Sequence, residues 1–373
     1  MSAAAMRLAD ARNWLSDRRF GGLVAFNDGQ NSFLDANAVF VFTGVRAIGR
    51  SAVVIAREGP SILIVEPSWD AERAMTLSCT DDVIATDSLV DALGAQLEKS
   101  GLNKEKLATI ALDKQSMAFV AQAKGRLGSS IEAADGVAAE LARIRSPEEL
   151  DNCRRAVAIA ERGYEHLLEV AKTGRCEFEL AADIYMHMKW LGAEDNFLLM
   201  SASQHNLAVR AAGNRILEEG DVVLAEITPC YRGQFAQICR TAVLGQASSL
   251  QRNKYLLLQE AMRRGMDAAV PGATVGEAAQ AMNDVFRKAG YGSYCRPPYM
   301  RVRGHGLGVT SDRPGDISDS SAVIFEEGMT FVIHPNQYLP ETGYLMCGET
   351  VMISHNGAIS LSERDSELGS LPL

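Results

Sequence analysis

The sequence predicts an α+β chain of two domains: an α/β unit over residues 1–143 and a larger mixed domain over 144–373. Three observations lead there. Short β-rich runs alternate with helical patterns through the first unit, the pattern of an α/β fold. Ser146-Pro147-Glu148-Glu149 then gives a helix start, with a side chain able to cap, proline at the first helical position and an acidic first turn. Further on, residues 220–245 read as two strands around a tight turn.

In chain order, Leu8, Ala11, Trp14 and Leu15 have helical spacing and predict an amphipathic opening helix over 6–19. Runs at 22–26, 38–42, 51–56, 61–66 and 107–113 are rich in β-branched and aromatic residues and predict strands; 88–102, 116–127 and 136–144 predict helices. Beyond the boundary, helices are expected from Pro147 to about residue 172, over 177–191, over 253–269 and over 274–289, the last with Thr274 and Glu277 in a capping-box arrangement. The stretches 329–339 and 343–354 predict strands around a Pro340-Glu341-Thr342-Gly343 turn.

With 373 residues, 47% hydrophobic and 23% charged, the chain can bury a large core. A formal net charge of −10 argues against general binding to nucleic acid or anionic membranes, which requires clustered Lys and Arg, and so favours small molecules or proteins as partners, a small-molecule substrate first. Seven cysteines, an odd number without a CxxC pair, suggest neither a disulfide framework nor a thiolate zinc site, and fit the cytoplasm. The first twenty residues carry charges every few positions, and no apolar run approaches membrane-spanning length, so neither export nor a membrane span is expected.

The chemistry is expected at the 220–245 hairpin. With the turn centred between Tyr231 and Arg232, Glu226 would stand opposite Gln237, about 5 Å away as cross-strand neighbours do. A carboxylate in an otherwise apolar strand needs a partner or a ligand.

The residues Arg143–Leu150, GDVVLAE with GQFAQICRT, Gly304-His305-Gly306-Leu307-Gly308, and EEGMTFVIHP followed by GETVMIS resemble, in order and spacing, the pita-bread (peptidase M24-like) family of creatinase, aminopeptidase P, prolidase and methionine aminopeptidase. The likeness spans nearly the whole chain. Phe42-Thr43-Gly44 and its surroundings look like the smaller N-terminal domain of creatinase. The resemblance implies a C-terminal pita-bread domain and a homodimer whose N-terminal domain reaches the partner's site. It also implies two metal ions held by two Asp, one His and two Glu. At those positions this chain has Glu226, Gln237, His305, His334 and, in an ungapped reading, Gly348, with Glu349 adjacent. Two further histidines usual in the family are replaced by Val209 and Asp312, the first of which matches the catalytic His of creatinase.

A neutral Gln237 cannot bridge two hard cations as an anion, so the inherited dimetal peptidase centre is not expected. The candidate catalytic residues are His305, Glu226, His334, Gln237 and Glu349. The first reading is a creatinase-like hydrolase of a C–N bond, with no metal cofactor: a histidine moves protons and Glu226 orients it or holds a cationic nitrogen. The second places one Fe, Mn or Zn ion on His305, His334 and Glu226 or Glu349. The third is a pita-bread protein that binds without catalysis. A carboxylated substrate would need a guanidinium, which points to Arg301, Arg303 and Arg313 around the Gly304–Gly308 segment. Arg46 and Arg50 are candidates to act across a dimer, and His205 completes the substrate-binding set. Cys230 and Cys239 read as small core residues, and Arg240 as structural.

Overall fold

The computed structural model describes residues 2–30, 33–34, 37–128, 130–309 and 314–372. Arg313 and Asp312 lie outside the described residues. The chain divides into two compact units, Met1–Arg143 and Ile144–Leu373.

The first unit opens with α1 (Ala3–Arg18), capped by Ser2 and burying Leu8, Ala11 and Leu15. It continues through β1 (Gly22–Asn27), α2 (Ala38–Thr43), β2 (Ser51–Ala56), β3 (Ser61–Val65), α3 (Ala71–Leu77), β4 (Asp82–Ala85), α4 (Leu89–Lys99), β5 (Leu107–Ile110), α5 (Met117–Leu127), β6 (Ile131–Ala133) and α6 (Gly136–Leu141). The strands form one mixed sheet in the order β4-β3-β2-β1-β5-β6. Leu89, Leu93 and Leu97 of α4 and Phe119, Ala123 and Leu127 of α5 cover one of its faces.

Residues 38–42, expected as a strand, are helical. The Asn37 side chain accepts from the Phe40 N–H at 2.9 Å, capping the start, and Gly44 ends the helix with φ of 76°. Val39, Val41, Phe42 and Thr43 are all buried, so the run is apolar on nearly every side and its periodicity could not separate helix from strand.

The second unit begins with α7 (Pro147–Val170), whose capping box joins Ser146 and Glu149 reciprocally, and α8 (Glu177–Trp190). There follow β7 (Asp195–Ser203), β8 (Val222–Tyr231), β9 (Gln234–Phe235), β10 (Ile238–Leu244), α9 (Ser249–Ala268), α10 (Val275–Lys288), β11 (Gly304–Gly306), β12 (Thr330–Ile333), β13 (Gln337–Leu339), β14 (Gly343–Leu345), β15 (Glu349–Ser354), β16 (Gly357–Ser360) and β17 (Gly369–Leu371). One sheet runs β17-β10-β8-β7, with β9 on β8; a second runs β11-β12-β15-β16; β13 and β14 form a hairpin. The two larger sheets meet where Cys239 and Gly348 exchange backbone hydrogen bonds of 3.1 and 3.0 Å. Apolar residues of α9 and α10, among them Tyr255, Leu258, Met282 and Phe286, pack with Phe331 and Val351 beneath that junction.

The central hairpin turns one residue later than expected. Tyr231 pairs with Gln234 and the loop is Arg232-Gly233, with φ of 44° and 79°. Two successive positive φ values characterise the tight turn whose twist matches a hairpin, and glycine at the second position tolerates it. Every partner therefore shifts by two residues, and Glu226 stands opposite Cys239 rather than Gln237. A shift of two preserves the face on which each side chain lies.

Candidate active site

Strand β8 carries Glu226, and neighbouring strands gather the other polar groups around its partner Cys239. The Gln237 amide Nε2 donates to Cys239 Sγ at 3.7 Å, and Asn336 Nδ2 donates to the same sulfur at 3.6 Å. Asn336 is held in turn by the Cys347 N–H, which donates to its Oδ1 at 3.0 Å. Gln237 interrupts the ladder between β9 and β10. Its backbone is clamped by Thr350, whose hydroxyl accepts from the Gln237 N–H at 2.9 Å and donates to its carbonyl at 2.8 Å. This clamp aims the Gln237 side chain at the sulfur.

Gly348 explains how His334 comes so near. A Cβ on Gly348 would lie 2.6 Å from His334 Cβ and 3.1 Å from Cys239 Cβ, so only glycine lets these backbones approach. His334 directly follows β12, ahead of Pro335, and its ring meets that of His305 edge-on with centroids 5.4 Å apart. His305, on β11, has Nδ1 3.0 Å from the Gly306 carbonyl. Glu226, Gln237, His305 and His334 thus belong to one neighbourhood, with Cys239 and Asn336 at its centre.

The electrostatics follow from burial. Burial pushes the Glu226 carboxyl up to about 7, against the opposing pull of Arg301. Burial holds His334 well below the usual histidine range, helped by the charges of His305, Arg301 and Arg303, so its ring is neutral. Burial also raises the Cys239 thiol well above its ordinary value, with Glu226 adding to the effect; it is a packed acceptor rather than a nucleophile. Among the described residues, Gln237 Oε1 and His334 Nδ1 are buried without a hydrogen-bond partner.

The other candidates stand elsewhere. Glu349 turns to the opposite face of β15, where it lies 2.9 Å from the buried Arg240 guanidinium and accepts from the Ser362 and Ser366 hydroxyls. Alternation along the strand decides this: Gly348 faces the site, so the residue after it cannot. Arg303 is fully buried, giving Nε to Asn283, Nη1 to the Asn336 carbonyl and Nη2 to Gln337 Oε1 at 2.7, 3.1 and 2.7 Å. Its donors brace the β12–β13 connection and leave no fork for a substrate carboxylate. Arg301 is exposed and pairs with Asp316 at 3.2 Å. His205 Nε2 lies 3.2 Å from the Tyr338 hydroxyl. Arg46 and Arg50 belong to the first unit, where they lie over the Phe40 and Phe119 rings.

Sequence reasoning missed Asn336 and Tyr344. Asn336 follows His334 by two residues, a spacing that can place both on one side of an extended segment. Tyr344 pairs in register with Tyr338, and the charge of Glu226 acts on its hydroxyl.

The donor set does not fit a pair of metal ions. Glu226 is its one carboxylate, Gln237 is neutral, and a glycine stands at the last position. A single ion on His305, His334 and Glu226 or Glu349 is not supported either: Glu349 is committed to Arg240, and no group of three or more His, Cys, Asp or Glu among the described residues is placed to hold a metal.

Residues 151–359, over half of the chain, match the profile of metallopeptidase family M24. A Xaa-Pro dipeptidase of Pyrococcus furiosus is 32% identical over 237 residues, covering 63% of this chain and 67% of that protein. A probable dipeptidase, PepE, of Mycobacterium tuberculosis is 26% identical over 379 residues, covering 99% of this chain and 97% of that one. Among solved structures, the prolidase from Pyrococcus horikoshii superposes with a TM-score of 0.85 at 22% identity, covering 97% of this chain and 99% of that one. The Xaa-Pro dipeptidase from Bacillus anthracis superposes at 0.86 with 21% identity, covering 99% and 100%. The fold is therefore the pita-bread fold. These relatives carry peptidase names, which overturns the expectation of a creatinase-like, metal-independent C–N hydrolase and its mononuclear and non-catalytic alternatives. The family is one of metallopeptidases, so an absence of cofactor is no longer the expectation, although the residues present do not reproduce a two-metal ligand set. On the match over residues 151–359, this chain is a member of metallopeptidase family M24.

Proposed function

We propose that this protein is a hydrolase of small peptides, of the dipeptidase type, with its chemistry at the Glu226, Gln237, His305 and His334 cluster. The observation that carries the reading is the pair of unpartnered buried atoms, Gln237 Oε1 and His334 Nδ1, beside a carboxyl pushed to about 7 in an M24 chain. Unsatisfied buried polar groups cost about 1–3 kcal/mol each, so their retention indicates a ligand that satisfies them. A carboxyl near 7 exchanges protons at neutral pH, as general acid–base work requires. Neutral His334 offers one donor and one acceptor nitrogen, and His305 beside it is placed to relay a proton. The residues present do not reproduce a two-metal ligand set, and no step assigned to them runs through a metal ion.

The test is hydrolysis of a dipeptide panel that includes Xaa-Pro peptides, with and without added Mn²⁺, Co²⁺ or Zn²⁺. Turnover should fall by about 10²–10⁴ in His305→Ala. No turnover of any dipeptide under any of these conditions would refute the reading.

The same reading includes a homodimer in the cytoplasm. Phe178, Met186 and Trp190 of α8 are exposed, Trp190 at 88%, which suits a face that meets another chain, and the described cysteines are all free thiols. Light scattering at micromolar concentration decides the oligomeric state.

A further inference from the structure

A cavity of about 330 Å³ lies within the first unit. The sheet runs out here, because β6 is its edge strand and only three residues long. Phe119, Ala123 and Leu127 of α5 close the core, while Val120 and Ile131 lie at its margin, partly buried, and form part of the cavity wall. Leu112 and Ala133 extend this apolar lining. Strands β5 and β6 pair in parallel, and residues 111–113 and 134–135 directly follow them. The cavity therefore reaches the carboxyl ends of two parallel strands, where open α/β sheets bind their ligands. Ala111 stands at that end with φ of 57°, a left-handed conformation that costs a non-glycine residue about 1–3 kcal/mol and concentrates at ligand-holding segments. Its N–H donates to Asp135 Oδ1 at 2.7 Å, which ties the two strand ends together beside Leu112 and Asp113.

Three exposed charged side chains join the lining: Asp113, Asp135 and Lys124. Among the described residues, the Asp113 and Lys124 side chains have no hydrogen-bond or ion-pair partner, and Asp135 engages only the Ala111 N–H. Opposite charges thus line one cavity without meeting. A lone anion would face two carboxylates, a lone cation would leave Lys124 uncompensated, and an uncharged apolar molecule would match neither sign. A zwitterion with an apolar side chain matches both signs and the wall. The volume is near the lower end of the about 300–1,000 Å³ typical of ligand pockets, so it suits a single amino acid rather than a longer peptide.

We propose that this cavity binds a free aliphatic α-amino acid of about the size of leucine. Lys124 takes its carboxylate, Asp113 and Asp135 take its ammonium group, and Val120 and Ile131 take its side chain. The site itself does not depend on the peptide-hydrolase reading; only the relation of ligand to reaction rests on it, such an amino acid being a product of dipeptide hydrolysis.

Calorimetry on the purified full chain tests this with L-leucine, L-leucinamide, which lacks the carboxylate, and N-acetyl-L-leucine, which lacks the ammonium. L-Leucine should bind with a Kd below about 1 mM, and each analogue about 10-fold or more weakly, the effect of losing one charge-assisted contact. Lys124→Met should weaken L-leucine by about 10-fold and leave L-leucinamide unchanged; Asp113→Asn should weaken L-leucine and L-leucinamide alike. His305→Ala should keep the affinity for L-leucine, which separates this cavity from the Glu226 cluster. Circular dichroism melts confirm that the variants are folded. No binding of L-leucine, binding indifferent to both Lys124→Met and Asp113→Asn, or binding abolished by His305→Ala would overturn the site. Leucine binding that depends on Lys124, in a protein that hydrolyses no dipeptide, would sustain the site and sink the peptidase reading. Dipeptide hydrolysis without leucine binding would do the reverse.

Discussion

The Glu349 carboxylate lies 2.9 Å from the Arg240 guanidinium, with both side chains almost wholly buried. Arg240 also donates from Nη1 to the Gly348 and Cys239 carbonyls, at 2.8 and 3.1 Å, across the junction of the two sheets. The pair therefore braces the backbone that carries Gly348 and Cys239, while facing away from the cluster those residues border.

Removing one partner strands a buried charge. Glu349→Gln should destabilise the protein by about 3–5 kcal/mol in urea unfolding, whereas Arg240→Met with Glu349→Leu should recover most of that loss. The activity of the fraction that remains folded should be nearly unchanged; a loss as large as that of His305→Ala would place Glu349 back in the site.

Glu226 should make stability fall as pH rises. Its carboxyl is raised from about 4.5 to about 7, so the native state binds the proton more tightly than the unfolded chain. This contribution is complete below about pH 4.5, is lost as pH climbs through about 7, and is absent above. Glu226→Gln cannot ionise, so at pH 8 it should be more stable than the parent by about 1–3 kcal/mol, the difference vanishing near pH 4. Thermal melts across this range check the sign; a destabilised variant at pH 8 would mean that the carboxylate is satisfied in the native state.

Gly348→Ala adds a methyl group 2.6 Å from His334 Cβ. One strand or the other must yield, at a cost of about 1–3 kcal/mol in unfolding free energy. Because the displaced residue is His334, peptide turnover should fall further than the folded fraction does, read as kcat at a temperature where the variant is fully folded.

Thr350→Val keeps the side-chain shape and removes both hydroxyl contacts to the Gln237 backbone. The expected loss is about 1–3 kcal/mol, because a buried N–H and C=O are left unpaired. Freed from the clamp, Gln237 should bind substrate less well, so KM should rise more than kcat falls. An unchanged KM would show that the clamp does not position Gln237.

Local sequence signals determined much of this protein. Ser146, Pro147 and Glu149 mark the α7 start because a capping box is a contact among neighbours in the chain. Gly304-His305-Gly306 and His334-Pro335 could be singled out because, in order and spacing, they stand where the resembled family places its metal ligands. Three matters needed the tertiary structure. The helix at 38–43 is apolar on nearly all sides, and its caps, Asn37 and Gly44, settle what periodicity could not. The hairpin register depended on whether Arg232 adopts positive φ, and that moved the partner of Glu226 from Gln237 to Cys239. The orientation of Glu349 depended on which neighbour, Gly348 or Glu349, faces His334. A strand reverses direction with every residue, and only the close approach permitted by the missing Cβ of Gly348 decides between them.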